Sequence, residues 1–488
     1  MTDPAPAPGV QGYAVLTQRD PHAPAPAGPR SAGLATAGRS ATAGHSAAAG
    51  RSANTGSAGI SHGAAGTTAG HTAAAGVTIG RTDAGSAAAG GGTARCRAGV
   101  GTSAAPDATA AGRTAAAAAL AALGTGTPAL IVVYASVRYR LADLLAGVRS
   151  ITGEAPLVGA TSSGHFANGA LAEPGEGVAV LALSAGPYRF GVASATGLRA
   201  DAFGAGLSIA RAARAAAEPG EAPHSAVLLF ADGMAGNQQT LLNGVHRVAG
   251  SAVPVAGGAA GDDRRLAETF VFHDGAALAD GAVAVWINSP HPLDVPVEHG
   301  WRPVSLPLLV TRVDGSVVHE IAGRPALEIW REHFDHEPID EKLRTSRFAG
   351  YHSAHAFGLI EPDGTELIRG VFVDGADRLR TFTPLPPYSA VQIVTCGQDD
   401  LLGITDRVVA RSAGSPAAAH RRHEPSVLLV FSCVARLDIL RERGAEEARR
   451  LQTAAGALPT FGFYTYGEFA RTTGVAGYHN ATVAAIAL

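Results

Sequence analysis

Among its 488 residues the chain has one lysine, Lys342, with three cysteines, three tryptophans and two methionines. Positive charge is therefore carried by arginine, and 38 basic against 41 acidic side chains leave a net charge of −3. No basic stripe or acidic block stands out, which argues against nucleic acid as a partner. Cys96, Cys396 and Cys433 are too widely spaced for a metal knuckle and too few for a disulfide framework. No apolar run approaches the ~18 residues that span a bilayer. The N-terminus also lacks a charged region followed by an apolar one. These absences point to the reducing cytoplasm and away from a membrane.

Large apolar and aromatic side chains are almost missing from residues 1–97. That segment is Ala, Gly, Ser and Thr punctuated by Pro, with runs such as Ala47-Ala48-Ala49-Gly50. It buries too little apolar surface to offset an ordering cost of about 1–2 kcal/mol per residue, and is expected to be disordered. The remainder suits two domains of ordinary size.

What the remainder contains is one pattern three times. Pro156-Leu157-Val158-Gly159, Pro254-Val255-Ala256-Gly257 and Pro459-Thr460-Phe461-Gly462 each lead to a second glycine, Gly164, Gly261 or Gly467. An apolar run precedes each copy, at 129–134, 226–230 and 427–431, and a helical stripe follows the run. Leu141, Leu144, Leu145 and Val148, spaced i, i+3, i+4 and i+7, are the first such stripe. Another apolar run closes each unit, at 177–183, 282–287 and 481–488. The order predicts an α/β fold of repeated βαβ-type units forming largely parallel sheets. Pro-x-x-Gly then reads as a loop before the closing strand, with glycines at turns of positive φ. Tyr134, Phe230 and Phe431 hold matching positions ahead of it.

Residues 299–420 break the pattern and read as an inserted α+β subdomain. Asp314-Gly315 lies between short strand-like runs, and Glu361-Pro362-Asp363-Gly364 marks a second turn. The expected organisation is a low-complexity segment (1–97), two repeat units (98–298), and a third part (299–488). That last part holds the insert (299–420) and the third unit (421–488). A cleft between insert and repeats is the natural place for a ligand.

Several groups could carry chemistry. The stretch from Gly257 to Asp263 lacks the Lys-Ser/Thr of a phosphate loop, and its carboxylates repel phosphate. His352/His355 and His420/His423 are His-x-x-His pairs without an evident third ligand. Cys433 closes a predicted strand, at the end where α/β sheets place ligands. Its thiol is either a nucleophile with a pKa lowered by Arg436 or a small buried hydrophobe. The third copy is the richest. Tyr464, Thr465, Tyr466 and Glu468 stand near where the first has Thr161, Ser162, Ser163 and His165, and Tyr478-His479-Asn480 follows. These side chains suit a polar ligand, a metal or haem held by an imidazole, or simply a capped turn.

The motifs resemble those of the FIST sensory proteins, in which a FIST N-terminal domain precedes a FIST C-terminal domain. The N-terminal likeness is carried by Val132-Val133-Tyr134-Ala135-Ser136 and Leu157 to Gly164, with the second copy around Gly257 and Gly261. The C-terminal likeness is carried by Phe357-Gly358-Leu359 with Arg369, by Phe431 to Arg436, and by Gly462 to Glu468 with His479-Asn480-Ala481-Thr482. It covers about residues 98–488. The resemblance implies a cytoplasmic, non-enzymatic module that binds a small molecule such as an amino acid. With no recognisable output domain of its own, such a module would signal through a separate histidine kinase or cyclic-di-nucleotide enzyme. The candidate ligand-binding residues are Thr161, Ser162, Arg369, Cys433, Arg436, Tyr464, Tyr466, Glu468, His479 and Asn480. Arg369 or Arg436 would meet a carboxylate and Glu468 an ammonium group. Some family members hold haem and sense nitric oxide, which makes His479 an axial ligand in the alternative reading. An enzyme with a Cys433 nucleophile is the further alternative.

Overall fold

The computed structural model describes residues 77–80, 95–217, 222–334, 351–362, 364–374, 377–413, 424–471 and 477–488. The segment expected to be disordered lies outside them except for 95–97 and a strand, Val77–Gly80, which pairs with Arg189–Thr196.

Each repeat unit begins with two parallel strands joined through helix. The first has Pro128–Ala135, helix Leu141–Thr152 and Leu157–Thr161. The second has His224–Ala231, helix Gln238–Ala249 and Val255–Ala259. The third has Leu428–Cys433, helices Val434–Leu440 and Gly444–Ala455, and Thr460–Thr465. The closing strands Val178–Ser184, Gly281–Ser289 and Val483–Ala487 then pair antiparallel with the first strand of their units. The expectation of largely parallel sheets is therefore corrected. These three are the only parallel pairings among the described residues, and the sheets are mixed with antiparallel ladders dominant. An apolar run records that a strand is buried on both faces, but it carries no information on the direction of its neighbour.

Pro-x-x-Gly is a second correction, because it is a buried strand and not a loop. The carbonyls of Pro156, Pro254 and Pro459 accept equivalent bonds from Ile131, Val227 and Leu428 N at 2.8, 2.9 and 2.9 Å. A Cβ at Gly159, Gly257 or Gly462 would collide with the carbonyl oxygen of Val133, Leu229 or Val430 on the neighbouring strand. Glycine permits that close approach. Its low strand propensity is what makes the segment look like a loop.

A hairpin leaves each of these strands and joins the sheet of a different unit. His165–Ala167 of the first unit pairs with Thr460–Thr465 of the third. Val271–His273 of the second pairs with Leu157–Thr161 of the first. Glu468–Arg471 of the third pairs with Val255–Ala259 of the second, which completes a cycle. Tyr134, Phe230 and Phe431, one from each unit, surround Phe463 with ring centroids 4.3, 6.3 and 6.0 Å from it. Phe463 stands where the other copies have Ala160 and Gly258, so one aromatic fills a centre too small for three.

The insert contains a closed antiparallel barrel. Its strands run in the order Leu308–Asp314, Val317–Ile321, Arg378–Thr381, Glu366–Asp374, Tyr351–Ile360 and Ala390–Thr395, which returns to the first. Leu327 and Trp330 of helix Ala326–Phe334 fill it against Phe357. Closure leaves this element no free edge except at its ends.

Candidate functional site

The ends of the three first strands are equivalent. Ser136, Asp232 and Cys433 N donate to Gly177, Gly281 and Thr482 O at 3.1, 2.8 and 3.0 Å. The third unit places a thiol, a carboxyl group and two threonines there, with Ala356, Ile368 and Val394 of the barrel in the same packed cluster as Cys433. Glu468 is completely buried and accepts from the Thr465 hydroxyl, the Thr482 hydroxyl at 2.6 Å and Thr482 N at 3.3 Å. Burial pushes its pKa up to about 7, against the opposing pull of these hydroxyl, amide and Cys433 thiol donors. Burial also lifts the Cys433 thiol well above its usual range, and the Glu468 charge adds to this. A thiol so placed is not a thiolate at neutral pH.

Tyr478, His479 and Asn480 form a second wall. Gln239 Oε1, on the second unit's helix, accepts from Gly477 and Tyr478 N at 3.1 Å each. The Tyr478 hydroxyl donates to Tyr466 O at 3.0 Å, and Asn480 Oδ1 accepts from Thr383 on the barrel side at 3.1 Å. His479 Nε2 lies 3.0 Å from Ala470 O, and burial lowers its pKa to about 4, so the ring is neutral at pH 7.

Arg369 comes from the barrel strand Glu366–Asp374 and is 3% exposed. Its Nη1 donates to Ile368 O at 3.0 Å, its Nε has no partner, and among the described residues it makes no ion pair. Burial draws its pKa down to about 10, while Tyr478 and Glu361 oppose the shift. A buried cation without an ion pair is expensive, and an anion placed beside it would offset that cost.

The other candidates lie elsewhere. Arg436 is not a free cation: it is completely buried and paired with Glu447. Glu447 also accepts from Ser432 at 3.0 Å and from the Tyr464 hydroxyl at 2.7 Å. Thr161 Oγ1 accepts from Phe270 N at 3.0 Å, and Ser162 Oγ lies 3.2 Å from His165 Nδ1, both in the first unit. The Tyr466 hydroxyl donates to Asp262, which also accepts from Leu266, Ala267 and Glu268 N. The structure thus gathers Arg369, Cys433, Glu468, His479 and Asn480 and separates the rest. Thr383 and Gln239 carried no sequence signal, since only the packing of the barrel and of the exchanged hairpin brings them here. Glu447 lies in a helix, Gly444–Ala455, from which the sequence singles out no candidate residue.

The metal and haem readings find little support. His352 and His355 lie on the barrel strand Tyr351–Ile360, in the stretch between Tyr351 and Ala356 where its pairing is irregular. His420 and His423 lie outside the described residues, among which no cluster of three metal-binding side chains occurs. The described residues around His479 do not fit haem. Its Nε2 is engaged, and the buried rings of Phe469 and Tyr478 pack on each other at 5.6 Å rather than lining an opening.

The buried ionisable groups predict a pH profile. His165 and His479 both have pKa values lowered to about 4 by burial. Their stabilising contribution is complete above about 6.5, the unfolded value, and is lost as pH falls toward 4. Glu468 acts oppositely, because its raised pKa favours the folded state most at low pH and less as pH rises toward 7. Chemical denaturation from pH 7 to 4 should show falling stability, and Glu468→Gln should make that fall steeper.

Two family models match the chain in tandem. Residues 129–324 match the FIST N domain and residues 326–471 the FIST C domain. The chain belongs to the FIST family. The boundary between the two matches falls inside the barrel, after Val317–Ile321. An uncharacterised protein of Mycobacterium tuberculosis is 30% identical over 396 residues, covering 79% of this chain and 98% of its own. An uncharacterised Mycobacterium bovis protein is 28% identical over 237 residues, 47% of this chain and 58% of its own. A chorismatase crystal structure aligns over 81% of this chain and 99% of its own, at 11% identity. Its TM-score of 0.31 is too low to support an argument about fold or chemistry. Family membership carries the general character of a small-ligand sensory domain. No described helix is long and apolar enough to cross a membrane.

Proposed function

We propose that this FIST protein is a non-enzymatic sensor that binds a small carboxylate, such as an amino acid, between the third repeat unit and the barrel. The observation that carries the reading is Arg369, a buried guanidinium with an unpartnered Nε and no ion pair among the described residues. Arg369 supplies the anion contact. Glu468 and Asn480 supply acceptors for an ammonium group, with Glu468 poised to ionise near neutral pH. The non-enzymatic part rests on Cys433, whose thiol is held protonated by burial and by the charge of Glu468, which raises its pKa further. The output passes to a separate protein, a histidine kinase or cyclic-di-nucleotide enzyme.

Isothermal titration of the full chain against an amino-acid panel tests the reading. At least one member should bind, and Arg369→Leu should weaken it by about 1.5–3 kcal/mol, the value of a charge-assisted contact, or roughly 10- to 150-fold in Kd. No heat with any member overturns the proposal, as does unchanged affinity in Arg369→Leu.

A further inference from the structure

A ligand can reach the Arg369–Glu468 cluster only if a wall moves, because Arg369, Cys433, Glu468, Tyr478, His479 and Asn480 are all 7% exposed or less. The barrel strand and the exchanged hairpin are held in hydrogen-bonded ladders. Residues 299–301 are not. They form the irregular link between the two-residue strands Val297–Glu298 and Arg302–Pro303. Gly300 turns the link with a φ of 78°, and a Cβ there would press on the Asp400 carbonyl oxygen. The Trp301 indole belongs to the same packed cluster as Cys433, Cys396, Ile368 and Ala481. Its Nε1 donates to Ala481 O at 3.1 Å. Ala481 lies in the chain between Asn480 and Thr482, both members of the candidate site.

On its other side Trp301 borders a groove of about 480 Å³, shared with Glu298, His299, Asp399, Asp400 and Arg407. The groove's carboxylates are already paired. Glu298 meets Arg407 and Arg411, Asp399 meets Arg443, and Asp400 meets Arg302. Such a surface does not repel an incoming carboxylate as three free anions would.

We propose that this groove is the vestibule of the ligand site and that Trp301 is its gate, the indole leaving Ala481 O to open a path inward. The inference rests on the reading of the Arg369 cluster as a ligand site. It deepens that reading by naming the route and the residue that controls it.

Alkylation of the full chain by iodoacetamide, followed by peptide mass spectrometry, tests the gate without any ligand. The readout is the rate at Cys433 relative to Cys96, a buried thiol in the central core. Trp301→Ala should raise the ratio tenfold or more. Trp301→Phe, which keeps an aromatic ring but loses the bond to Ala481, should raise it severalfold. A general loosening of the fold would speed both thiols together and leave the ratio unchanged in Trp301→Ala; Trp301→Phe then decides. An unchanged ratio in both variants overturns the gate. The amino-acid titration of the unmodified protein is separate, and its failure removes the ligand reading whatever the alkylation ratio shows.

Discussion

Residues 95–324 expressed without the rest of the chain should show no cooperative unfolding transition, and co-expression with residues 325–488 should restore one. The sheet of the second unit is completed by Glu468–Arg471, and that of the third by His165–Ala167, so each half lends a hairpin to the other. The barrel is divided too, with Leu308–Asp314 and Val317–Ile321 on one side of the cut and its other strands beyond it. Around the central aromatics, Leu429, Phe431, Phe461 and Phe463 pack in the same cluster as Leu130, Tyr134, Leu228 and Phe230. Removing four large apolar side chains at about 1.5–3 kcal/mol each forfeits about 6–12 kcal/mol. Domains are typically stable by only about 5–15 kcal/mol. Thermal melts followed by circular dichroism check this. A cooperative melt of residues 95–324 alone, near the melting temperature of the whole chain, would show that the hairpin exchange contributes little.

Glu447→Ala should destabilise the protein by about 3–5 kcal/mol, the usual cost of breaking a buried pair from one side. Arg436 and Glu447 have completely buried side chains. The substitution would strand the guanidinium, although Leu401 O would still accept from its Nη2 at 3.0 Å. It would also leave Ser432 and Tyr464 without their shared acceptor. Urea denaturation followed by tryptophan fluorescence measures the change. Replacing both partners, as Arg436→Met with Glu447→Leu, should cost less than Glu447→Ala alone, because no unpaired charge is left behind. A double variant as unstable as the single would show that packing, not charge, sets the penalty.

These expectations separate what could be read along the chain from what could not. The first strands, the closing strands and the helices of the units were legible, because burial leaves a periodic record, whereas the three Pro-x-x-Gly strands were not. The stripe from Leu141 to Val148 became helix Leu141–Thr152, and Asp107 and Gly124 cap helix Ala108–Leu123. The family was legible in its local motifs. The candidate site was half legible: Cys433, Glu468 and His479 could be picked out by residue type and placement, but Arg369 and Arg436 were equal candidates for the anion contact.

Tertiary structure alone distinguishes those two arginines. Arg436 lies within reach of Glu447 on a helix eleven residues further on, whereas Arg369 makes no ion pair among the described residues. It also decided the direction of each closing strand, the exchange of hairpins among units and the closure of the barrel. The physical reason is common to all of these. Hydrophobic pattern and composition determine which side chains leave water, through forces that have no direction. Hydrogen-bond pairing and charge pairing are directional, and they depend on which segment, distant in the chain, is packed alongside.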